Sequence, residues 1–573
     1  MNRPVPTEEM PTTPPGGGGH RRNAADLAAP VLLLVTPAVI YLSSQDYSYF
    51  SLEAGAFLGA LAVLGIILGG CSAIGGRWVG ISVIAILATL FVDRQFNEAL
   101  TGAGIYWSVV RMAGVFLLSA VMAWVLSAHL ATIIVAVMAT TLVATVLVPP
   151  EVPFPDTRTV RTATKPNEGL PLIVHLVLDE HIGIEGIPQS IDGGETLKSH
   201  LKKFFSDKGF RVFGKAYSNF FSTHLTLANL FNGGPPRSDI VGDSDDKFRL
   251  KMNGNRLFER LGERGYRIKV YQSDFMDMCG AGNDSVDLCY SYPCCTLKNL
   301  EDLDLPVVDK AVVIAGNYLD PMISYRVVRR AYRWLVHVGL PVPRWPWEEL
   351  RLAPLTAFDV LGRFAGDLKA ASRGEYYFAH LFIPHFPYVY DGECRLRRSK
   401  MWLSRWSQEG LDRDRWGAAG SSGASKNTAS TRRLRYQRYF EQTHCLYRKL
   451  DTLFEALGRS GRLADAVIIV HGDHGSRIPI DDPDSGRTQP LGEGDKVDSF
   501  STLFAIKAPG VAPDYDLRLI SLQTLFNHLA GSRFRSVPDG SFVEPPAARM
   551  LHPSGQGGDL TMTDFGQGSG FLP

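Results

Sequence analysis

Apolar positions along this chain follow two regimes that meet at Pro149. Before it lie five nearly uncharged apolar stretches, roughly Leu27–Leu42, Ala54–Cys71, Trp78–Val92, Trp107–Leu126 and Leu130–Val148. Each is expected to form a helix that crosses a bilayer, which takes ~20 apolar residues. The third is short and needs its flanks or a local thinning. Only Ser127-Ala128-His129 separates the last two, which predicts a tight helical hairpin. A buried helical domain of a water-soluble protein would not carry five such stretches with so little internal charge.

Past a Pro/Thr/Arg-rich linker, Glu151–Gly169, the apolar runs shorten and alternate with amphipathic segments. Leu172–Gly183 (LIVHLVLDEHIG), Tyr266–Asp274, Tyr376–His385 and Asp465–His474 read as strands. Leu197–Lys208, Asn255–Gly262, Phe358–Ala371 and Tyr436–Leu457 read as helices between them. Strands alternating with helices predict an α/β domain with a largely parallel central sheet. Ser404–Ser430, which contains GAAGSSGASKNTAS, reads as a mobile loop, and the Gly-rich segment after Met550 as an unpacked tail. The expected organisation is a disordered cytoplasmic tail over 1–25, a five-helix membrane domain over 26–149 and a linker over 150–169. An external α/β domain over 170–547 and a flexible tail over 548–573 complete it.

Composition adds orientation and compartment. A length of 573 residues admits two or three domains. The net charge is +1 and no Lys/Arg-rich run resembles a nucleic-acid arm, so no nucleic-acid partner is expected. Arg21 and Arg22 precede the first span and Arg77 follows the second, whereas Ser43–Glu53 has no Lys or Arg. The positive-inside rule then puts the N-terminus in the cytoplasm and everything after Pro150 outside. The first span is not read as a cleaved signal peptide, because four more follow. Six of the seven cysteines (Cys279, Cys289, Cys294, Cys295, Cys394 and Cys445) fall in the external part. An oxidising compartment permits disulfides there. Fifteen connectivities are possible, with Cys279–Cys289 expected because the two flank a short polar loop. A zinc knuckle built on Cys279, Cys289, Cys294 and Cys295 is the rival, weakened by the adjacent pair.

Three of the strands end in groups suited to a cation: Asp179-Glu180, His385, and Asp473-His474 within VIIVHGDHG. Each alone could be a turn. At one edge of one sheet they would converge, and carboxylate oxygen with imidazole nitrogen is a metal-binding donor set. A fourth segment, AYSNFFSTHLTLANLFNG, places Ser222-Thr223 before a helix. Such a hydroxyl is often only an N-cap. It also lies where a helix N-terminus receives an anion, and a divalent cation would activate it.

The stretches LVLDEHIG, STHLTLANLFNG, IPHFPYVYDG and VIIVHGDHG, in that order, resemble the alkaline phosphatase/sulfatase superfamily. The nearest resemblance is to its membrane-bound branch of lipoteichoic acid synthases, phosphoethanolamine transferases and phosphoglycerol transferases. Those proteins have five spans before an external α/β catalytic domain. The resemblance covers most of Leu170 to about Gly531. It implies Asp179, Asp473 and His474 as metal ligands, with Glu180 as a further acidic ligand. It implies Thr223 as nucleophile and ligand, with Ser222 as the fallback, and His385 as the contact to the transferred group. His471 has no counterpart, and a structural role is its default. The metal implied is zinc or manganese. The donor implied is a phospholipid and the acceptor a glycan or lipid, at a bacterial inner membrane with the catalytic domain facing the periplasm or cell exterior. Sulfatases carry a Cys/Ser-x-Pro-x-Arg element, and THLTL here has neither Pro nor Arg. That departure favours phosphoryl chemistry on threonine over the alternative, a sulfatase-like hydrolase. A non-catalytic scaffold of the same fold would not be expected to keep Asp179, Thr223, Asp473 and His474 together.

Leu297–Leu352 reads as an insert before the Tyr376 strand. Within ISYRVVRRAYRWLVHV, Arg326, Arg329, Arg330 and Arg333 share one helical face and Ile323, Val327, Ala331, Trp334 and Leu335 the other. Trp345 and Trp347 follow among prolines. A basic amphipathic helix beside tryptophans reads either as an interfacial membrane helix or as a core-packing helix with a solvated basic face.

Overall fold

The computed structural model describes residues 24–96, 105–126, 129–148, 156–159, 166–234, 241–243, 250–280, 285–293, 297–301, 303–338, 340–341, 353–397, 427–459, 461, 464–481, 483, 491–540, 549–553 and 560–564. Residues 1–23, most of the expected loop over 404–430, Cys294, Cys295, Trp345 and Trp347 lie outside the described residues. The chain divides into two compact units. The first comprises Met1–Tyr41, Gly55–Pro149 and Pro321–Ser324.

In that unit α1 (Ala24–Ser44), α2 (Leu52–Gln95), α3 (Ile105–Val125) and α4 (Leu130–Leu147) are long and apolar enough to cross a membrane. A straight helix of α2's 44 residues would run about 66 Å, twice the hydrocarbon thickness. It breaks at Gly76, where φ 79° and ψ −175° suit only glycine. Residues 52–75 and 77–95 therefore take up the second and third expected stretches. Leu33, Leu87 and Met138 pack the helices together. Only 6% of the most apolar window of α4 is buried, which leaves more bare apolar surface than water tolerates.

The second unit comprises Leu42–Ala54, Pro150–Asp320 and Tyr325–Pro573. Its strands are β1 (Asp156–Thr159), β2 (Ile173–Leu178), β3 (Arg211–Tyr217), β4 (Val241–Asp243), β5 (Leu250–Met252), β6 (Arg267–Ser273), β7 (Met276–Asp277), β8 (Val286–Tyr292), β9 (Glu375–Leu381), β10 (Val467–Gly472), β11 (Phe504–Lys507), β12 (Asp514–Ser521), β13 (Arg549–Pro553) and β14 (Leu560–Asp564). Nine of them form one sheet in the order β1-β8-β6-β9-β2-β10-β11-β3-β12. The five strands from β8 to β10 in that order are all parallel, and β1 and β11 are antiparallel to their neighbours. β2, β9 and β10 are buried at every position, which is why they read as continuous apolar runs.

The helices here are α5 (Gly194–Asp207), α6 (Thr223–Asn232), α7 (Arg256–Glu263), α8 (Lys298–Glu301), α9 (Val307–Leu319), α10 (Ile323–His337), α11 (Ala353–Leu368), α12 (Ala429–Arg459), α13 (Glu493–Phe500) and α14 (Leu522–Gly531). One sheet face buries Ile173, Val177, Phe378 and Ile469 against Leu227 and Phe231 of α6, Phe258 of α7 and Phe526 of α14. α5 and α12 pack together through Phe204, Phe205, Tyr447 and Phe454.

Three expectations change. β8, not foreseen, follows β6 and pairs with it, so the insert carrying α9 and α10 comes after β8. β3, β11 and β12 were also missed, being short or polar on one side. The segment after Met550 is not wholly unpacked: β13 and β14 pair antiparallel. Two disulfides close, Cys279–Cys289 as expected and Cys394–Cys445. The first consumes two thiols that the zinc knuckle would need.

His200 of α5 and His444 of α12 stack with ring centroids 5.0 Å apart and Nδ1 atoms 3.0 Å apart. One nitrogen donates and the other accepts, so neutral rings satisfy the contact. Burial, then the neighbouring His200, brings His444 down to about 4, and burial lowers His200 as well. Unfolded histidines titrate near 6.5. Between about pH 4 and 6.5 the unfolded chain therefore binds more protons, and stability rises with pH. The full chain in detergent is expected to melt at lower temperature at pH 5 than at pH 7. His444→Phe should reduce that difference, and an unaltered pH profile in this variant would refute the assignment.

Candidate metal centre and nucleophile

β9, β2 and β10 are neighbours, so their carboxyl ends form one edge. Leu381, Leu178 and Gly472 are aligned across it. Asp179 and Asp473 each lie one residue beyond that row. His380 lies one residue before it, on the register row of Val177 and His471. Ligand atoms of Asp179, His380 and Asp473 all come within 4.8 Å of one another, and all three residues are buried. His380 Nε2 is 3.5 Å from Asp179 Oδ2. His474 Nε2 is 3.1 Å from Asp473 Oδ2 and 3.9 Å from Asp179 Oδ1.

Glycines make this turn possible. A Cβ on Gly472 would sit 2.4 Å from the His181 carbonyl oxygen, and one on Gly475 would sit 2.3 Å from that of Asp498. The pair bracketing Asp473-His474 thus lets two other backbone segments close on the loop. His474 Nδ1 faces the Gly475 carbonyl at 3.0 Å, which puts the ring proton there and leaves Nε2 turned to the carboxylates.

Both oxygens of Asp179, Oδ2 of Asp473 and Nε2 of His380 are buried without a hydrogen-bond partner. Burying a carboxylate without compensation costs several kcal/mol, so these atoms call for a cation. The electrostatics agree. Burial and then the Asp473 charge push the Asp179 carboxyl well above the usual range. Burial also opposes the charge on Asp473, but the adjoining His474 and His380 bring it below its ordinary value. Burial keeps His380 neutral, with its pKa at about 4, and lowers His474 too. Neutral imidazoles and carboxylates are the forms that bind a divalent metal.

Thr223 opens α6, whose Leu227, Ala228 and Phe231 bind it to the sheet. Its Oγ1 is 3.4 Å from His474 Nε2. Ser222 occupies the N-cap but makes no capping bond, so it is not the ordinary cap that Ser-Thr suggests. Its buried Oγ has no hydrogen-bond partner. The α6 N-terminus therefore brings its backbone N–H groups and its positive dipole end to the cluster.

Glu180 and His385 stand beside the cluster as a pair. Their Oε1 and Nε2 atoms are 3.4 Å apart, and Glu180 Oε2 accepts the Phe386 N–H at 3.2 Å. The Glu180 backbone N–H donates to Asp473 Oδ1 at 3.1 Å, with Glu180 at a left-handed φ of 61°. Glu180 therefore pairs with His385 in this structure, while the resemblance implies it as a metal ligand. The loop bearing His385 hangs on Gln442 of α12. Its Oε1 accepts Val389 N–H at 2.8 Å and Tyr390 N–H at 3.3 Å. Its Nε2 donates to the carbonyls of Pro384, His385 and Pro387.

His471 lies under the cluster in a closed network. Its Nε2 is 2.7 Å from His175 Nε2, its Nδ1 faces the Gly472 carbonyl, and His175 Nδ1 is 2.5 Å from the Tyr376 hydroxyl. These contacts fit its structural default. Three residues escaped the sequence reading. His380 sits mid-strand in FAHLF, where a lone polar residue in a buried run was the available signal. His224 follows Thr223, and burial brings it to about 4. Arg477, at φ 52°, places its guanidinium 5.9 Å from the Phe221 ring centroid and makes no salt bridge among the described residues. It is near enough to act on Asp179, Glu180, His224 and His474.

No family model matches the sequence, and no curated protein matches it significantly. Among solved structures, the chain is similar to the C-terminal periplasmic domain of EcEptC from Escherichia coli in complex with Zn. That match has 13% identity over 72% of this chain and 96% of that one, with a TM-score of 0.37. A second match is the phosphonate monoester hydrolase of Agrobacterium radiobacter, with 14% identity over 68% and 82% and a TM-score of 0.37. A third is a protein in the alkaline phosphatase superfamily from Vibrio parahaemolyticus, with 13% identity over 68% and 74% and a TM-score of 0.34.

Proposed function

We propose that this chain is a membrane-anchored, metal-dependent phosphotransferase of the alkaline phosphatase/sulfatase superfamily. It moves phosphoethanolamine or phosphoglycerol from a phospholipid to a hydroxyl of a glycan or lipid acceptor. The N-terminal helices hold it in a bacterial inner membrane, with the α/β unit on the periplasmic or external side. The observation that carries the reading is the Thr223 hydroxyl at a helix N-terminus, against a buried cluster of Asp179, His380, Asp473 and His474 in which both Asp179 oxygens and Oδ2 of Asp473 lack hydrogen-bond partners.

Two carboxylates and two imidazoles suit zinc better than a harder ion, so zinc is the favoured metal and manganese the alternative. Bound there, the cation would supply positive charge that lowers the pKa of a nearby hydroxyl and draws charge off the phosphoryl oxygens. Asp179, His380, Asp473 and His474 would hold it. Thr223 Oγ1 forms the new bond to phosphorus as the bond to the diacylglycerol oxygen breaks. The threonine proton is lost and the departing oxygen gains one. The α6 N-terminus and Arg477 face the phosphoryl oxygens, where charge accumulates. His385, oriented by Glu180, contacts the transferred group. In the second half the acceptor hydroxyl attacks phosphorus and Thr223 leaves.

The test is mass spectrometry of the Thr223 peptide after the full chain is incubated with phosphatidylethanolamine or phosphatidylglycerol. One lipid should add its phospho-headgroup to Thr223 and release diacylglycerol. An unmodified Thr223 with both lipids, in protein that still releases diacylglycerol, would overturn the covalent route. Release of free headgroup phosphate whatever acceptor is supplied would mark a hydrolase.

A further inference from the structure

α10 carries an apolar stripe that nothing among the described residues covers. Val327, Trp334 and Val338 are 36%, 61% and 48% exposed, and Ala331 between them is exposed as well. These four recur at the spacing of one helical face. The helix is packed on its other side, where Tyr325 is buried and Tyr332 half-buried. A core-packing helix would bury the apolar stripe, so that reading of its sequence fails. Arg326 and Arg330, both exposed, run along one margin of the stripe.

The start of α10 is fixed independently. Pro321–Ser324 belong to the same unit as the apolar helices. Asp93, in the last turn of α2, is fully buried and accepts the N–H groups of Ile323 and Ser324, each at 2.8 Å. Asp93 thus satisfies two of the four amides that the first turn of a helix leaves unpaired. Its carboxylate also complements the positive end of the helix. Ile323 and Ser324 are thereby tied to the end of a membrane-length helix.

We propose that the α10 stripe docks on the bilayer surface. Val327, Ala331, Trp334 and Val338 enter the acyl boundary, and Arg326 and Arg330 meet the phosphates of anionic phospholipids. Trp prefers this depth, and arginine stems lie along apolar surface while their heads reach phosphate. The inference rests on reading the N-terminal helices as membrane spans. A second copy of the chain is the competing occupant, but two copies would bring Arg326 and Arg330 together without the carboxylates to offset them on that face.

The test uses the full chain in lipid nanodiscs, with the photo-crosslinker p-benzoylphenylalanine replacing Val327 or Trp334, one site per sample. Lys203 on α5, whose side chain is 75% exposed, serves as the water-facing control, and Val121 on α3, 55% exposed, as the span control. After irradiation, phospholipid adducts at 327 and 334 should exceed those at 203 several-fold and rise with anionic lipid content. Adducts no higher than at 203, yields indifferent to anionic lipid, or crosslinks to another copy instead of lipid would overturn the proposal. Lipid adducts at 121 without adducts on α10 would remove the docking and keep the spans. Their absence at 121 would remove both.

Discussion

Thr223→Ala is expected to abolish the headgroup adduct and to lower diacylglycerol release by about a thousandfold or more, with the metal content unchanged. A hydroxyl is a poor nucleophile at neutral pH, and its removal takes away the bond-forming atom itself. Loss of a group acting only in the transition state commonly costs several kcal/mol of barrier. The metal should stay because Asp179, His380, Asp473 and His474 still offer four donors once Thr223 Oγ1 is gone. Thr223 Oγ1 meets His474 at 3.4 Å, a long contact that holds little. Release assays and elemental analysis on the same preparation decide the matter. A variant keeping a tenth of wild-type release would exclude Thr223 as nucleophile and turn attention to the unpartnered Ser222 hydroxyl beside it.

Asp473→Asn should lose metal and activity together. The two oxygens of Asp473 have separate tasks. Oδ1 accepts the backbone N–H groups of Glu180 and His474, at 3.1 and 2.9 Å. Oδ2 has no hydrogen-bond partner and faces His474 Nε2 at 3.1 Å. An asparagine can keep the first contact and set an NH2 group in place of the second. The turn should survive while the site loses a charged donor and gains two N–H groups that repel a cation. The expected readout is at least a hundredfold weaker zinc binding by competition with a chelator, beside an unchanged disulfide map. Full zinc occupancy in this variant would mean that the cluster is not the metal site.

The candidate cluster was more legible in the sequence than the sheet was. Asp179, Asp473 and His474 were legible because β2 and β10 are buried on both faces, so each run of apolar residues ends abruptly at charge. Thr223 was legible from the helix it opens. Strand order was not, because nothing local says that β9 and β10 flank β2. His380 was hidden for a related reason. Its usefulness depends on which face of β9 meets α6, and a strand buried on both sides shows no alternation from which to read a face. Glu180 shows what residue type alone leaves open: a carboxylate suits a metal, and here, at a left-handed φ, it stands 3.4 Å from His385.

The grip of Gln442 on the 384–390 loop has a consequence for how this protein can change. Every group it touches there is main chain, and it reaches the His385 carbonyl from 57 residues away. Such a hold fixes the path of the loop while leaving its composition free. Side chains around His385 can drift, and under the proposed function the headgroup that fits would drift with them, so long as one amide on α12 stays in place. The specificity of the loop and its position are thus inherited separately.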